Sequence, residues 1–146
     1  MAAFDDNTFV VSYLIEKTQF PIDQTDQQGN TALHWACDHN ATFTPSWLLA
    51  FGANINAVNH EGNTPLHMLV KNPQKLKSSK QVRMMIFKGA DRDIKNDKGM
   101  TALELLKNEC DILEENGDFT IGQALRKELE QMLGKQSCYL PWCQIQ

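Results

Sequence analysis

The chain has 146 residues, of which 42% are hydrophobic and 22% are charged, and this balance fits one globular domain rather than a disordered chain. Its formal net charge of −4 argues against a dedicated nucleic-acid-binding protein, which usually carries a basic face. The four cysteines are too few and too scattered for a disulfide framework, and no apolar run reaches the roughly 18 residues of a membrane span, so we expect a soluble, cytosolic segment.

The first predicted element is a helix close to the N-terminus. In the segment NTFVVSYLIEK, Phe9, Val10, Tyr13 and Leu14 are spaced as on one face of a helix. The preceding residues lack the basic region and the long apolar run of a signal peptide. We interpret residues 1–24 as an incomplete copy of the repeated unit that follows, contributing its second helix.

A short motif then recurs three times. GNTAL begins at Gly29, GNTPL at Gly62 and GMTAL at Gly99, at intervals of 33 and 37 residues. A second marker, the dipeptide Gly-Ala, begins at Gly52 and Gly89, in both cases ten residues before the next motif. A period of about 33 residues containing Thr-Pro-Leu-His is typical of ankyrin repeats. The chain therefore resembles the ankyrin-repeat family, and the fold predicted is an all-α ankyrin-repeat solenoid of helix-turn-helix units with short projecting turns.

Each motif carries the signals that begin a helix. Thr31, Thr64 and Thr101 are placed to cap a helix N-terminus with their hydroxyl groups, and Pro65 suits the first helical position because its missing N–H is not needed there. The segment TPSWLLAFG repeats the device, with Thr44 predicted as the cap of a short apolar helix. Asx-to-Gly turns precede the motifs and are predicted to form the projecting turns.

These signals divide the chain into units. Residues 25–58 are predicted to form one ankyrin repeat, residues 59–95 a second with an insertion between its helices, and residues 96–134 a third with a C-terminal capping helix. The apolar face of that capping helix is predicted from Ile121, Leu125, Leu129 and Met132. Residues 135–146 are interpreted as a tail or linker, in which Cys138 and Cys143 have no assigned role.

The histidines of two motifs have two interpretations. His34 and His67 could act as ligands or bases, but their place in the repeat favours imidazoles that bridge backbone groups of neighbouring turns. His34 and Cys37 lie on one helix face and could form half of a zinc site. No second half follows at the usual spacing, so no bound metal is expected.

The stretch from Thr25 to Asn56 carries a narrower resemblance. It is similar to the later ankyrin repeats of ankyrin-bearing DHHC-type protein palmitoyltransferases. The matching residues are Asp26, Gln27, Gly29, Thr31, Leu33, Trp35, Ala36, Leu48, Leu49 and Phe51. The resemblance implies a cytosolic solenoid that recruits substrates or adaptors and precedes membrane helices in a longer chain, on the cytosolic face of an endomembrane such as the Golgi. The alternative is a free-standing ankyrin adaptor or inhibitor with no link to acyl transfer.

Trp35 is the first candidate for partner binding. An indole at this position can face the concave groove, where aromatic anchors contribute much of the binding energy, or it can pack against the next helix. In the resembled family, a tryptophan in an "LHW" setting of an earlier repeat is implicated in gripping peptide motifs, so the resemblance implies this role for Trp35 by analogy of position. The other candidate contacts follow the first helix or lie in the turns, and they are Asp38, His39, Gln27, Gln28, Asn30, His60, Glu61 and Asn63.

The search for catalytic motifs is empty. The chain has no Asp-His-His-Cys motif, no phosphate-binding loop, no nucleophile elbow and no zinc-protease helix, so we interpret it as a binding module without catalytic residues or a cofactor. The expected partner is a protein or peptide on the concave face, with no nucleic acid and with the chain as a monomer. No membrane insertion is expected. The basic insertion from Lys71 to Arg83 could face anionic headgroups, or it could be an ordinary solvated loop.

Overall fold

The computed structural model describes residues 13, 17, 21–76, 79–115 and 123–134. From residue 21 onwards these ranges contain six α-helices, one 3-10 helix at Pro73–Lys75 and no strand. The helices are α1 (Ala32–Asp38), α2 (Thr44–Ala50), α3 (Pro65–Lys71), α4 (Lys80–Phe87), α5 (Ala102–Glu115) and α6 (Gln123–Leu133). The predicted all-α repeat fold is therefore confirmed for the described part of the chain.

The helices form three pairs along the chain. In each pair, an inner helix (α1, α3 or α5) packs against the outer helix that follows it (α2, α4 or α6). The inner helices also stack on one another in chain order, which joins the pairs into one array. The shared core is apolar, and its largest fully buried side chains include Leu33, Leu48, Leu66, Met85, Leu106 and Leu129. Because each pair is too short to bury a core alone, stacking supplies it.

The helix boundaries follow from the capping residues. Thr31 and Thr64 occupy the N-cap positions of α1 and α3, and Pro65 is the first residue of α3, as predicted. Thr44 differs from its prediction, because it is the first residue of α2 and Phe43 stands at the cap with helical dihedral angles. The helix α2 thus begins one residue earlier than the sequence indicated.

The same C-terminal turn ends three helices. After α2, Gly52 has φ +91°, and its N–H and that of Ala53 donate to the carbonyls of Leu49 and Leu48. The same pair of bonds closes α4 at Gly89. It also closes α1 at Asn40, which adopts φ +53° where the other two units have glycine. This motif satisfies the last carbonyls of each helix and turns the chain back sharply.

The projecting turns are fixed by an Asx residue at their base. The Oδ1 atoms of Asp26, Asn59 and Asn96 each accept hydrogen bonds from the backbone N–H groups two and four residues later, at 2.8–3.1 Å. Backbone bonds then join each turn to the next, because the N–H of His60 donates to Gln28 and that of Asp97 to Glu61, both at 3.0 Å. The turns are thereby held in a row.

The last helix is tied to the array by ion pairs. Arg126 of α6 donates to Asp111 and Glu114 of α5, and to Glu130 one turn further along α6. Leu129 of α6 is fully buried, with Leu125 and Met132 partly buried beside it. Other predicted features lie outside the described residues, namely the helical face of Phe9, Val10 and Leu14, the residue Ile121, and the tail with Cys138 and Cys143.

Candidate functional site

Trp35 is exposed on an otherwise buried stretch of α1. Its neighbours Leu33, His34, Ala36 and Cys37 are all buried, whereas the Trp35 side chain is 37% exposed. The indole Nε1–H donates to Oδ2 of Asp26 at 2.8 Å, and the ring stacks on His39 with centroids 5.8 Å apart. The indole is thus held from two sides while part of its surface stays open.

Asp26 links the indole to the first projecting turn. Its carboxylate accepts from the N–H groups of Gln28 and Asn30 as well as from Trp35. Desolvation opposes ionisation, but these hydrogen bonds outweigh it and lower the pKa of Asp26 below its ordinary value. Asp26 therefore carries its charge at neutral pH and orients the turn and the indole together.

Asp38 and His39 lie at the end of α1, next to Trp35. Asp38 accepts a hydrogen bond from Nδ2 of Asn72 at 3.3 Å and lies 3.9 Å from Nζ of Lys75, so it connects the first helix pair to the second. The Nδ1–H of His39 donates to the Trp35 carbonyl, 3.1 Å away. Both side chains are partly buried. Together with Trp35 they form a half-covered surface at the end of the inner helix.

The predicted turn residues separate into two groups. Gln27, Gln28, His60 and Glu61 are exposed at the tips of the first two turns. Glu61 is also a hydrogen-bond acceptor for Asn63 and lies 3.7 Å from Lys71. These four side chains share one edge of the molecule because the backbone bonds between turns hold them in a row.

Asn30 and Asn63 require a correction. They are only 5% and 4% exposed, so their side chains do not contribute to an accessible surface. Instead, Oδ1 of Asn30 accepts from Nδ2 of Asn59 at 2.8 Å, and Oδ1 of Asn63 accepts from Nδ2 of Asn96 at 3.0 Å. These two bonds join successive turns. We refer to Asn30, Asn59, Asn63 and Asn96 as the asparagine ladder.

Sequence reasoning missed this ladder, although a signal for it exists. From the sequence, Asn59 and Asn96 are predicted only as the Asx residues of the turns that precede the second and third motifs. Asn30 and Asn63 stand 33 residues apart, and Asn59 and Asn96 stand 37 apart, which are the intervals of the repeat. An amide that recurs at the repeat period suits a bond between neighbouring units, since each can donate to one side and accept from the other.

The motif histidines are structural, as the repeat register indicated. Nδ1 of His34 accepts from the N–H of Thr31 at 3.1 Å, and Nδ1 of His67 accepts from that of Thr64 at 3.2 Å. Each Nε2–H then donates to a backbone carbonyl of the following unit, at Asn63 and Met100 respectively. Burial lowers the pKa of both imidazoles, against the opposing effect of these carbonyls. Both rings are therefore neutral bridges between units.

Two buried thiols lie in the part of the chain that the structure describes. Burial raises the pKa of the Cys37 thiol to about 12 and also raises that of Cys110, so both are poor nucleophiles at neutral pH. Among the residues that the structure describes, no three His, Cys, Asp or Glu side chains are grouped to hold a metal ion. No helix in the described ranges is both long and apolar enough to cross a membrane.

Comparison with known proteins agrees with the geometry. A family model described as ankyrin repeats (3 copies) matches residues 1–96. Human BCL-6 corepressor-like protein 1 is 31% identical over 100 residues, which is 68% of this chain and 5% of that protein. Palmitoyltransferase AKR1 of Candida albicans is 34% identical over 88 residues, and that of Saccharomyces cerevisiae is 38% identical over 92 residues. These cover 60% and 62% of this chain, and 10% and 11% of those proteins. The chain thus spans about a tenth or less of the length of these relatives.

Proposed function

The chain belongs to the ankyrin-repeat family, whose stacked units are protein-interaction modules, and we propose that it binds an extended peptide segment of a partner protein on its concave face. The observation that carries this proposal is the state of Trp35. A large aromatic side chain is left partly open on the inner helix, yet its ring is fixed by Asp26 and His39. The rest of the proposed surface comprises Asp38, His39, Gln27, Gln28, His60 and Glu61.

The fixed indole suits the role of an anchor. Tryptophan is enriched among the residues that contribute most to binding at protein interfaces. A side chain that is already ordered loses little conformational entropy when a partner covers it. Polar groups around the anchor, on Asp38 and at the turn tips, can fix the direction of an extended backbone by hydrogen bonds. We expect the chain to bind as a monomer.

A finer proposal concerns the longer chain to which this segment would belong. We propose that this segment recruits substrates or adaptors for a membrane DHHC-type protein S-palmitoyltransferase and lies on the cytosolic face of an endomembrane such as the Golgi. Two relatives named palmitoyltransferase support this, at 34% and 38% identity, together with the motif resemblance between Thr25 and Asn56. The segment itself contributes binding and no catalytic group.

A second candidate function is an adaptor or inhibitor without acyl transfer. It is favoured by the match to BCL-6 corepressor-like protein 1, which covers 100 residues of this chain at 31% identity. The full reading frame around the segment separates the two candidates. An Asp-His-His-Cys segment flanked by apolar runs of about 20 residues supports the first. A reading frame that lacks this segment and these apolar runs excludes the palmitoyltransferase proposal, while the proposal of peptide binding still stands.

Site-specific photocrosslinking tests the binding face directly. A photoreactive amino acid is placed at Gln28 on the first turn or, as the control, at Phe43 on the outer side, since both side chains are exposed. We expect protein partners to be crosslinked from position 28 and not from position 43. Partners captured only from position 43 would show that the proposed face is wrong.

A further inference from the structure

The charges of this chain are strongly segregated. Residues 62–90 contain six lysine or arginine residues and no acidic residue, and residues 39–60 contain neither kind. Because the whole chain has a net charge of −4, the residues outside 62–90 carry a net charge of −10. An excess of positive charge therefore belongs to the second helix pair.

The structure divides these basic residues between two sides. Lys71 and Lys75 form ion pairs with Glu61 and Asp38, on the side of the inner helices and turns. Arg83 binds Glu128 of α6. Lys80 and Lys88 lie exposed at the two ends of the outer helix α4. Lys80 and Lys88 therefore provide exposed positive charge on the outer side.

The same outer side exposes large aromatic side chains. Phe87 of α4 is 81% exposed, Phe43 at the start of α2 is 64% exposed, and Trp47 of α2 is 46% exposed. Single exposed apolar side chains are common on soluble proteins. Here three exposed aromatic rings belong to two successive outer helices, and lysines are exposed at both ends of the second helix, a combination that suits an interaction surface.

The repeat register places these side chains on one face. Adding both repeat intervals, 33 and 37 residues, to Lys17 gives Phe87, and adding 37 residues to Phe43 gives Lys80. The two residues of each pair therefore occupy the same position in their repeats. Both Tyr13 and Lys17 are helical and exposed, which continues the pattern to the preceding outer position. We refer to Lys17, Phe43, Trp47, Lys80, Phe87 and Lys88 as the outer patch.

We propose that the outer patch docks the chain on an anionic membrane surface, with the binding face of Trp35 left free on the opposite side. Lysine ammonium groups bind anionic headgroups, while aromatic rings enter the interfacial layer, where one side is apolar and the other wet. A nucleic acid is a poorer fit because arginine is the usual bidentate ligand of phosphate, and the arginine of this helix is held by Glu128. The proposal is independent of the acyl-transfer setting.

Vesicle co-sedimentation tests the proposal with the whole chain. Phosphatidylcholine vesicles are compared with vesicles that also contain about 30% phosphatidylserine, at low and high salt. We expect retention by the anionic vesicles only, weakened by salt. The double variant Lys80→Glu/Lys88→Glu should lower the partition coefficient at least about tenfold, since each basic residue near the surface contributes about 1 kcal/mol. Phe87→Ser should lower it severalfold.

A matched control separates the patch from net charge. Lys95→Glu/Lys98→Glu makes the same change of charge at two exposed lysines on the side of the turns, and it should leave vesicle binding within about twofold. Equal losses in the two double variants, or no preference for anionic vesicles, would overturn the proposal. So would retention on a DNA oligonucleotide that requires Lys80 and Lys88 without any retention on vesicles.

Discussion

The indole Nε1–H of Trp35 donates to the Asp26 carboxylate over 2.8 Å, and this bond connects the inner helix of one unit to the turn that precedes it. Asp26 also accepts the backbone N–H groups of Gln28 and Asn30, so the indole and the turn tip are positioned by one side chain. The proposed anchor and the polar groups beside it therefore form a preorganised surface.

Trp35→Phe separates the hydrogen bond from the apolar contact. Phenylalanine keeps a ring for the partner but cannot donate to Asp26, so the ring loses one of its two supports. We expect partner affinity to fall by a factor of about three to ten, because a net hydrogen bond contributes about 1 kcal/mol. Isothermal titration calorimetry measures this. A loss as large as that of Trp35→Ala would mean that the hydrogen bond, rather than the ring, carries recognition.

Gly62→Ala should disrupt the row of turns. Gly62 has φ +71°, and a Cβ atom there would lie 2.6 Å from the Asp97 side chain and 2.8 Å from its backbone nitrogen. Gly99 has the same φ of +71° with no atom within 4 Å of an added Cβ, so Gly99→Ala carries only the backbone strain. We expect chemical denaturation to give a free energy of unfolding lower by about 1–3 kcal/mol in Gly62→Ala than in Gly99→Ala. Equal values would contradict a close contact between turns.

The bridging histidines make stability depend on pH. Burial lowers the pKa of His34 and His67 in the folded chain, so the unfolded chain binds protons more readily at these positions. Their contribution to stability is complete above the ordinary histidine pKa of about 6.5 and is lost progressively as the pH falls below it. We expect the melting temperature to decrease between about pH 7.5 and pH 5.

Two variants assign this pH effect. His67→Gln removes one buried imidazole but keeps a side chain that suits the third position of a helix, which Glu104 occupies in the third unit. The decrease of the melting temperature with falling pH should therefore be shallower in this variant. Gln27→Ala, at an exposed turn tip, removes no titratable group and should leave the slope unchanged. Stability that is flat over this range in the unaltered chain would refute the assignment.

The asparagine ladder predicts coupling between units. Asn63→Ala removes the acceptor of the Asn96 side-chain amide and leaves that buried donor without it. Loss of a buried partner costs about 1–3 kcal/mol, so the free energy of unfolding should fall by that amount. Gln27→Ala, at an exposed turn tip, should change it by less than about 0.5 kcal/mol. A neutral Asn63→Ala would show that the ladder does not stabilise the array.

Repetition explains why much of the fold is predictable from the sequence. The histidine bridges, the caps at Thr31 and Thr64 and the turn glycines recur at fixed intervals, so each copy supports the others. The accessible surface is harder to predict, because exposure depends on the neighbouring unit. Asn30 and Asn63 have the polarity of surface residues, yet the adjacent turn covers them. The start of α2 differs by one residue from the prediction, because Phe43 adopts helical dihedral angles that its residue type does not indicate.

The central claim is that Trp35 anchors a partner peptide, and it is tested most directly with peptides selected from a random display library on the purified chain. The dissociation constant of a selected peptide is measured by calorimetry for the unaltered chain, Trp35→Ala and Trp47→Ala, the last removing an exposed tryptophan from the outer side. We expect Trp35→Ala to weaken binding at least about 30-fold, as at an interface hot spot, and Trp47→Ala to leave it unchanged. Binding that survives Trp35→Ala, or that both variants weaken equally, would contradict the account.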